Sequence, residues 1–133
     1  MTVTRERVRE IFSGLEQGNG DAFFAHVADD VDWRVMGTHP LAGQYHDRDE
    51  FRARTFARIA KALTGPPEMR VGAILIDGDR AAVELRLEAE GRNGLRFDNR
   101  YCWIVRFRGE EIVEVRAYLD SALVRDLLGG NEA

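Results

Sequence analysis

Apolar residues recur with a helical spacing over the first half of the chain and with a spacing of two over the second, so the pattern predicts helices followed by a sheet. Val8, Ile11, Phe12 and Leu15 fall at i, i+3, i+4 and i+7, giving an amphipathic helix from about Thr4 to Gln17 that Gly18, Asn19 and Gly20 close. Asp21 is placed to cap a short second helix, with Phe23, Phe24 and Val27 as its apolar side. Val31 to Met36 alternates as a strand with Trp33 and Val35 on one side, ended by Gly37-Thr38-His39-Pro40. A loop through Tyr45 and His46 follows. Asp47 and Glu50 then form a capping box ahead of a third helix, whose Phe56, Ile59, Ala60 and Leu63 repeat the helical spacing up to Gly65-Pro66-Pro67.

From Met69 onward the alternation predicts four antiparallel strands joined at Asp77-Gly78-Asp79, Gly91-Arg92-Asn93-Gly94 and Arg108-Gly109-Glu110-Glu111. A short last helix carries Leu123, Val124, Leu127 and Leu128. No repeat or interdomain linker interrupts the 133 residues, so the expectation is one α+β domain, three N-terminal helices on a curved, mostly antiparallel sheet with a short C-terminal helix.

Turn lengths set register, and register decides which side chains share a face. A four-residue loop at 91 to 94 pairs Glu90 with Leu95, which puts Arg86 opposite Asn99 and Glu84 opposite Tyr101. A turn at 109 to 110 pairs Arg108 with Glu111, which puts Tyr101 opposite Tyr118, Trp103 opposite Arg116 and Asn99 opposite Asp120. On this register Arg86, Asn99 and Asp120 form a row across three strands, on a face shared with Glu84, Tyr101, Trp103 and Tyr118. If helices cover that face, the polar row lies in a cavity, where each group needs a partner. The opposite face then collects Val83, Leu85, Leu87, Cys102, Ile104, Val113, Val115, Ala117 and Leu119, an apolar patch that predicts homodimerisation through the outer sheet face. The inverse assignment, with the aliphatic face as core and the charged face in water, is the common pattern for an antiparallel sheet and stays open at this point.

Three stretches carry a family resemblance: Asp30 to Val35, Gly37 to Tyr45, and Asn99-Arg100-Tyr101-Cys102-Trp103 leading to Glu114 through Asp120. With them the chain resembles the NTF2-like superfamily, close to the SnoaL-like polyketide cyclases and ketosteroid isomerase-like proteins. The resemblance implies a cone of helices wrapped by a curved sheet, open at one end onto a cavity, commonly dimeric, and a fold that hosts isomerases, cyclases, hydrolases and members without catalysis. In SnoaL-like cyclases an aspartate in the place of Asp120 abstracts a proton, and in relatives like limonene epoxide hydrolase it helps activate water. Those hydrolases also use an Arg and an Asp two apart on the strand that here holds Glu84 and Arg86, in reversed order. The oxyanion-hole pair of the ketosteroid isomerases has no match in this chain.

Asp120 is thus the candidate general base, since a carboxylate in an apolar cone has a raised pKa, although Asp at a strand–helix junction equally suits an N-cap. Arg86 and Asn99 are its candidate electrostatic partners. Trp33, Val35, Glu84, Tyr101, Trp103 and Tyr118 are candidate ligand contacts, and His39 is a candidate acid or base on a rim loop. The expected function is binding of a small apolar or cyclic ligand, with isomerisation or cyclisation of a carbonyl compound and no cofactor. The alternatives are a non-catalytic binding or dimerisation module and epoxide-hydrolase-like water activation.

Charge narrows the partners. Nineteen Lys and Arg against 23 Asp and Glu leave a net charge of −4, which argues against nucleic acid and anionic membranes as partners. One cysteine and three scattered histidines form no metal-ligand spacing. The N-terminus mixes charges into its apolar positions, unlike a signal peptide, so a cytoplasmic location is expected.

Overall fold

The computed structural model describes residues 2–132. Helix α1 (Arg5–Glu16) starts at Thr4, whose side chain accepts from Arg7 N, and buries Val8, Ile11, Phe12 and Leu15 as their spacing predicts. Helix α2 (Gly20–Phe24) is capped by Asn19 instead of Asp21, because the Asn19 side chain reaches Ala22 N at 3.2 Å. The predicted third helix is two pieces, α3 (Arg48–Arg54) and α4 (Phe56–Ala62), so four helices precede the central strands, not three. The break is at Thr55, whose φ of −126° and ψ of −77° leave the helical region. Asp47 caps α3 as its capping box predicts, accepting from Glu50 N at 2.7 Å. Helix α5 (Ser121–Asn131) closes the described chain.

Six strands form one sheet in the order β2-β1-β6-β5-β4-β3. They are β1 (Val27–Val35), β2 (Gly43–Tyr45), β3 (Met69–Asp77), β4 (Arg80–Glu90), β5 (Arg96–Arg108) and β6 (Glu111–Leu119). The loop expected before the third helix contains β2, which pairs Trp33 with Tyr45. Strand β1 runs parallel to β6, and every other neighbour pair is antiparallel. Among the described residues no helix is long and apolar enough to cross a membrane.

Both register expectations in the β4–β5–β6 ribbon are off by one residue. Glu90 pairs with Arg96, not Leu95, so the first loop holds five residues. The extra residue follows from the end of α4: Gly91 bridges to Leu63, Thr64 N donates to Glu90 O and Arg92 N donates to Ala62 O, which ties the strand end to the helix. At the second turn Arg108 does pair with Glu111, but a bulge between Arg106 and Phe107 then aligns Arg106 with Glu114. Because side chains alternate, each slip moves a whole strand's residues to the other face. On β4 and β6 the inverse assignment is the observed one, whereas β5 keeps Asn99 and Trp103 inside and Cys102 and Ile104 on the outer face. Val83, Leu85, Leu87, Val115 and Ala117 are buried under the helices, so the apolar outer patch that predicted sheet-to-sheet pairing is core.

That core is dominated by rings. Trp33 stacks on Phe51 with centroids 4.0 Å apart and meets Trp103 edge-on at 5.2 Å, while Phe12 and Phe23 close on Trp103 from the helices at 6.0 Å. Arg52 lies over Phe24 at 4.5 Å and covers the outer side of this cluster.

Candidate functional site: an apolar cone with unpartnered donors

On β5, alternation sends Asn99, Tyr101 and Trp103 to the inner face, as expected, and on β1 it sends Trp33 and Val35 there. The neighbours of these residues are aliphatic. Tyr101 lies between Leu85 and Leu119, and Trp103 between Val83 and Ala117. A cavity of about 70 Å³ opens between this face and α3, α4 and α5, with Trp33, His39, Phe51, Tyr101 and Trp103 in its wall. Of the lining residues, Phe56, Pro67, Tyr101 and Leu119 keep some exposure and mark the mouth. A cavity of ~150 Å³ holds benzene, so a six-membered ring enters this one only if the rim yields.

The expected row of Arg86, Asn99 and Asp120 does not exist. Arg86 stands opposite Arg100, Glu84 opposite Cys102 and Cys102 opposite Tyr118, all on the outer face. Arg86 donates there to both oxygens of Asp98, at 2.9 and 3.0 Å. Glu84 and Tyr118 are exposed, so neither faces the cone. Cys102 shares that face, where burial first and Glu84 second push its thiol above the ordinary value and keep it unreactive.

Asn99 and Asp120 do meet, but through the main chain of Asp120. Asp120 N donates to Asn99 Oδ1 at 3.0 Å and Asn99 Nδ2 donates to Asp120 O at 3.2 Å. The Asp120 carboxylate itself accepts from Ala122 N at 3.1 Å and Leu123 N at 3.4 Å, so it is the N-cap of α5 on an exposed residue. With the amide of Asn99 spent on main-chain groups, the two side chains are not set to hold a water between them.

His39 is buried and lines the cavity, as part of a built loop. Its Nε2 lies 3.0 Å from Met36 O and its Nδ1 accepts from Leu41 N at 3.2 Å, which fixes the Nε2–H tautomer. Gly37 enables this turn. Its φ of 113° suits glycine, and a Cβ there would run into Ser121 Oγ and lie 3.0 Å from His39 Cδ2.

The chemistry of the cavity lies in donors. Trp33 Nε1 and Trp103 Nε1 are buried without any hydrogen-bond partner among the described residues, and both residues line the cone. Buried polar groups are nearly always paired, so the unpartnered indoles of these two lining residues are the cone's candidate donors to an acceptor from outside the chain. Tyr101 adds a phenol whose pKa burial pushes well above the ordinary 10.0. Among the described residues no carboxylate lines the cavity. Among the described residues no three His, Cys, Asp or Glu side chains come together as a metal site. Phe51, Thr55, Met69 and Val124 also line the cone and were missed, although Phe51 and Thr55 stand at i and i+4 of the expected helix, a spacing that marks one face.

Known proteins share this architecture. An NTF2-like protein from Burkholderia thailandensis E264 superposes with a TM-score of 0.79 at 23% identity, covering 92% of this chain and 95% of that one. The structure of TerC co-crystallized with polyporic acid superposes with a TM-score of 0.72 at 18% identity, covering 93% of this chain and 96% of that one. In sequence, the dimerizing cyclase phiC of a fungal species (strain ATCC 74256) is 28% identical over 134 residues, which is 98% of this chain but 59% of that protein. The chain therefore spans well under two thirds of the length of that relative. The SnoaL-like domain family matches residues 8–115, and with the helices-on-sheet architecture already described, this chain belongs to that family.

Proposed function

We propose that the chain binds a small, ring-sized, mostly apolar carbonyl compound in the cone and acts on it as a cofactor-independent cyclase or isomerase. The observation that carries this reading is that the two residues with orphaned indole N–H groups, Trp33 and Trp103, both line one apolar cavity. Leaving a buried donor unpaired costs about 1–3 kcal/mol, so a ligand oxygen that accepts from them recovers energy the empty cone forgoes. The same donors stabilise negative charge developing on that oxygen, and the dry surroundings strengthen the effect. Val35 is a wall residue in this reading. Proton movement falls to the two titratable side chains that line the cavity, His39 and Tyr101. The named activity of the cyclase relative and the ligand carried by the TerC structure support the reading.

The chain holds two tryptophans and both line the cone, so intrinsic emission reports directly on occupancy. Cyclohexanone is expected to shift that emission saturably. Methylenecyclohexane, with a CH₂ in place of the oxygen, is expected to bind about tenfold more weakly, the size of one net hydrogen bond. Equal binding of the two, or of neither, overturns the reading. A purely binding role is the second reading, favoured because both ring nitrogens of His39 are engaged with main-chain groups.

A further inference from the structure

The outer face of the sheet carries a charge pattern for which the cone has no use. Register sets Arg70 on β3 opposite Arg86 on β4, and Arg86 opposite Arg100 on β5. Side chains opposed across neighbouring strands stand about 5 Å apart at Cβ, and like charges so placed destabilise the sheet. Three guanidinium groups therefore line up on consecutive strands of a chain whose net charge is −4. Only the middle one is neutralised, by Asp98 and by Glu88 at 3.3 Å. Arg70 and Arg100 are exposed and make no ion pair among the described residues.

The row borders a groove. Strand β3 breaks register between Val71 and Ile74, and a hollow of about 280 Å³ lies at this irregularity, bounded by Arg70, Gly72, Glu84, Arg86 and Arg100. Asp98 grips Arg86 through Nε and Nη2, which fixes the guanidinium plane and leaves Nη1 without a partner among the described residues. We propose that this groove binds a small oxyanion of at least two negative charges, of the phosphate or dicarboxylate kind, between Arg70 and Arg100 and against Arg86. Arg70 and Arg100 outnumber Glu84 around the hollow, and the net attraction grows in proportion to the ligand's charge, so a dianion is held more strongly than a monoanion. Tyr101 borders both this hollow and the cone, whereas Arg70, Arg86 and Arg100 do not line the cone.

Calorimetric titration of the full chain with inorganic pyrophosphate and with succinate, at low salt, tests the assignment and tells the two kinds of anion apart. One pyrophosphate or one succinate per chain is expected, with affinity falling several-fold as salt rises through the range where exposed charges are screened. Arg70→Gln and Arg100→Gln are each expected to weaken binding by about tenfold, the size of one charge-assisted hydrogen bond. Without anion Arg70→Gln is expected to unfold no earlier than the parent, because it removes a like-charge neighbour of Arg86. Glu84→Gln is expected to tighten binding several-fold, and none of the three variants is expected to change cyclohexanone binding in the cone. Binding of neither anion by about 10 mM, or an affinity that the two arginine variants leave unchanged, overturns the proposal.

Discussion

Asn99 grips the main chain of Asp120 with both ends of its amide, at 3.0 and 3.2 Å, and is itself fully buried. One side chain thereby fixes the junction where β6 turns into α5, next to Leu119 and Val124 of the cavity wall. Asn99→Leu keeps the volume but abandons a donor and an acceptor, and is expected to lower unfolding free energy by about 2–3 kcal/mol. Asn99→Asp keeps only the accepting half and is expected to fall between the two. Urea unfolding followed by circular dichroism reads the series, and an Asn99→Leu curve that overlays the parent would show that the clip is idle.

The carboxylate of Asp120 caps α5 at two N–H groups, so its capping and chemical roles can be separated by substitution. Serine is as good an N-cap as aspartate, whereas alanine costs about 1 kcal/mol. Asp120→Ser is therefore expected to match the parent in stability, and Asp120→Ala to lose about that amount. Both are expected to bind cyclohexanone like the parent, because the donors of the cone are elsewhere. A turnover assay in which Asp120→Ser is inactive yet stable would give the carboxylate a chemical part after all.

Most elements were legible because their signals are local. The stripe of Val8, Ile11, Phe12 and Leu15, the box of Asp47 and Glu50, and the three glycine-bearing turns each specify structure within a few residues. The site was legible on β1 and β5, where alternation alone assigns Trp33, Tyr101 and Trp103 inward. It was misread on β4 and β6, where assignment depended on counting across turns. What shifted the count is not local: Gly91 bridges to Leu63 from another element, and the bulge near Phe107 sits where Ile112 also pairs with Val27 and donates its N–H to His26 O at 2.7 Å. One residue of slip carried Arg86 and Glu84 from the supposed cavity to the outside.

The Arg86–Asp98 pair makes a signed prediction about pH. The hydrogen bond from Arg86 is the largest cause holding the Asp98 carboxyl below the ordinary 3.8, followed by a smaller opposing effect of desolvation and by the charges of Arg86, Arg100 and Arg96. A carboxyl with a depressed folded pKa favours the native state above its unfolded pKa and loses that contribution as pH falls through the folded value. The gap in stability between the parent and Asp98→Asn is therefore expected to be flat above about pH 5 and to narrow below pH 4. Urea melts of both proteins from pH 2 to 7 check this, and a gap that widens in acid contradicts it.

Tyr101 gives the opposite sign at the alkaline end. Burial favours its neutral phenol, so the folded pKa lies above the unfolded one. The associated stability is fully present below about pH 10 and drains away as pH rises toward the folded value, because the unfolded chain ionises first. Tyr101→Phe removes the ionisable group from the cone wall and is expected to resist alkaline unfolding to a higher pH than the parent. Absorbance near 295 nm, which records phenolate, is expected to show a late step in the parent that coincides with loss of native tryptophan emission and is missing from the variant. A ligand bound in the cone excludes water from the same ring and is expected to delay that step further. If cyclohexanone leaves the step where it was while still shifting the emission, the ligand does not sit against Tyr101.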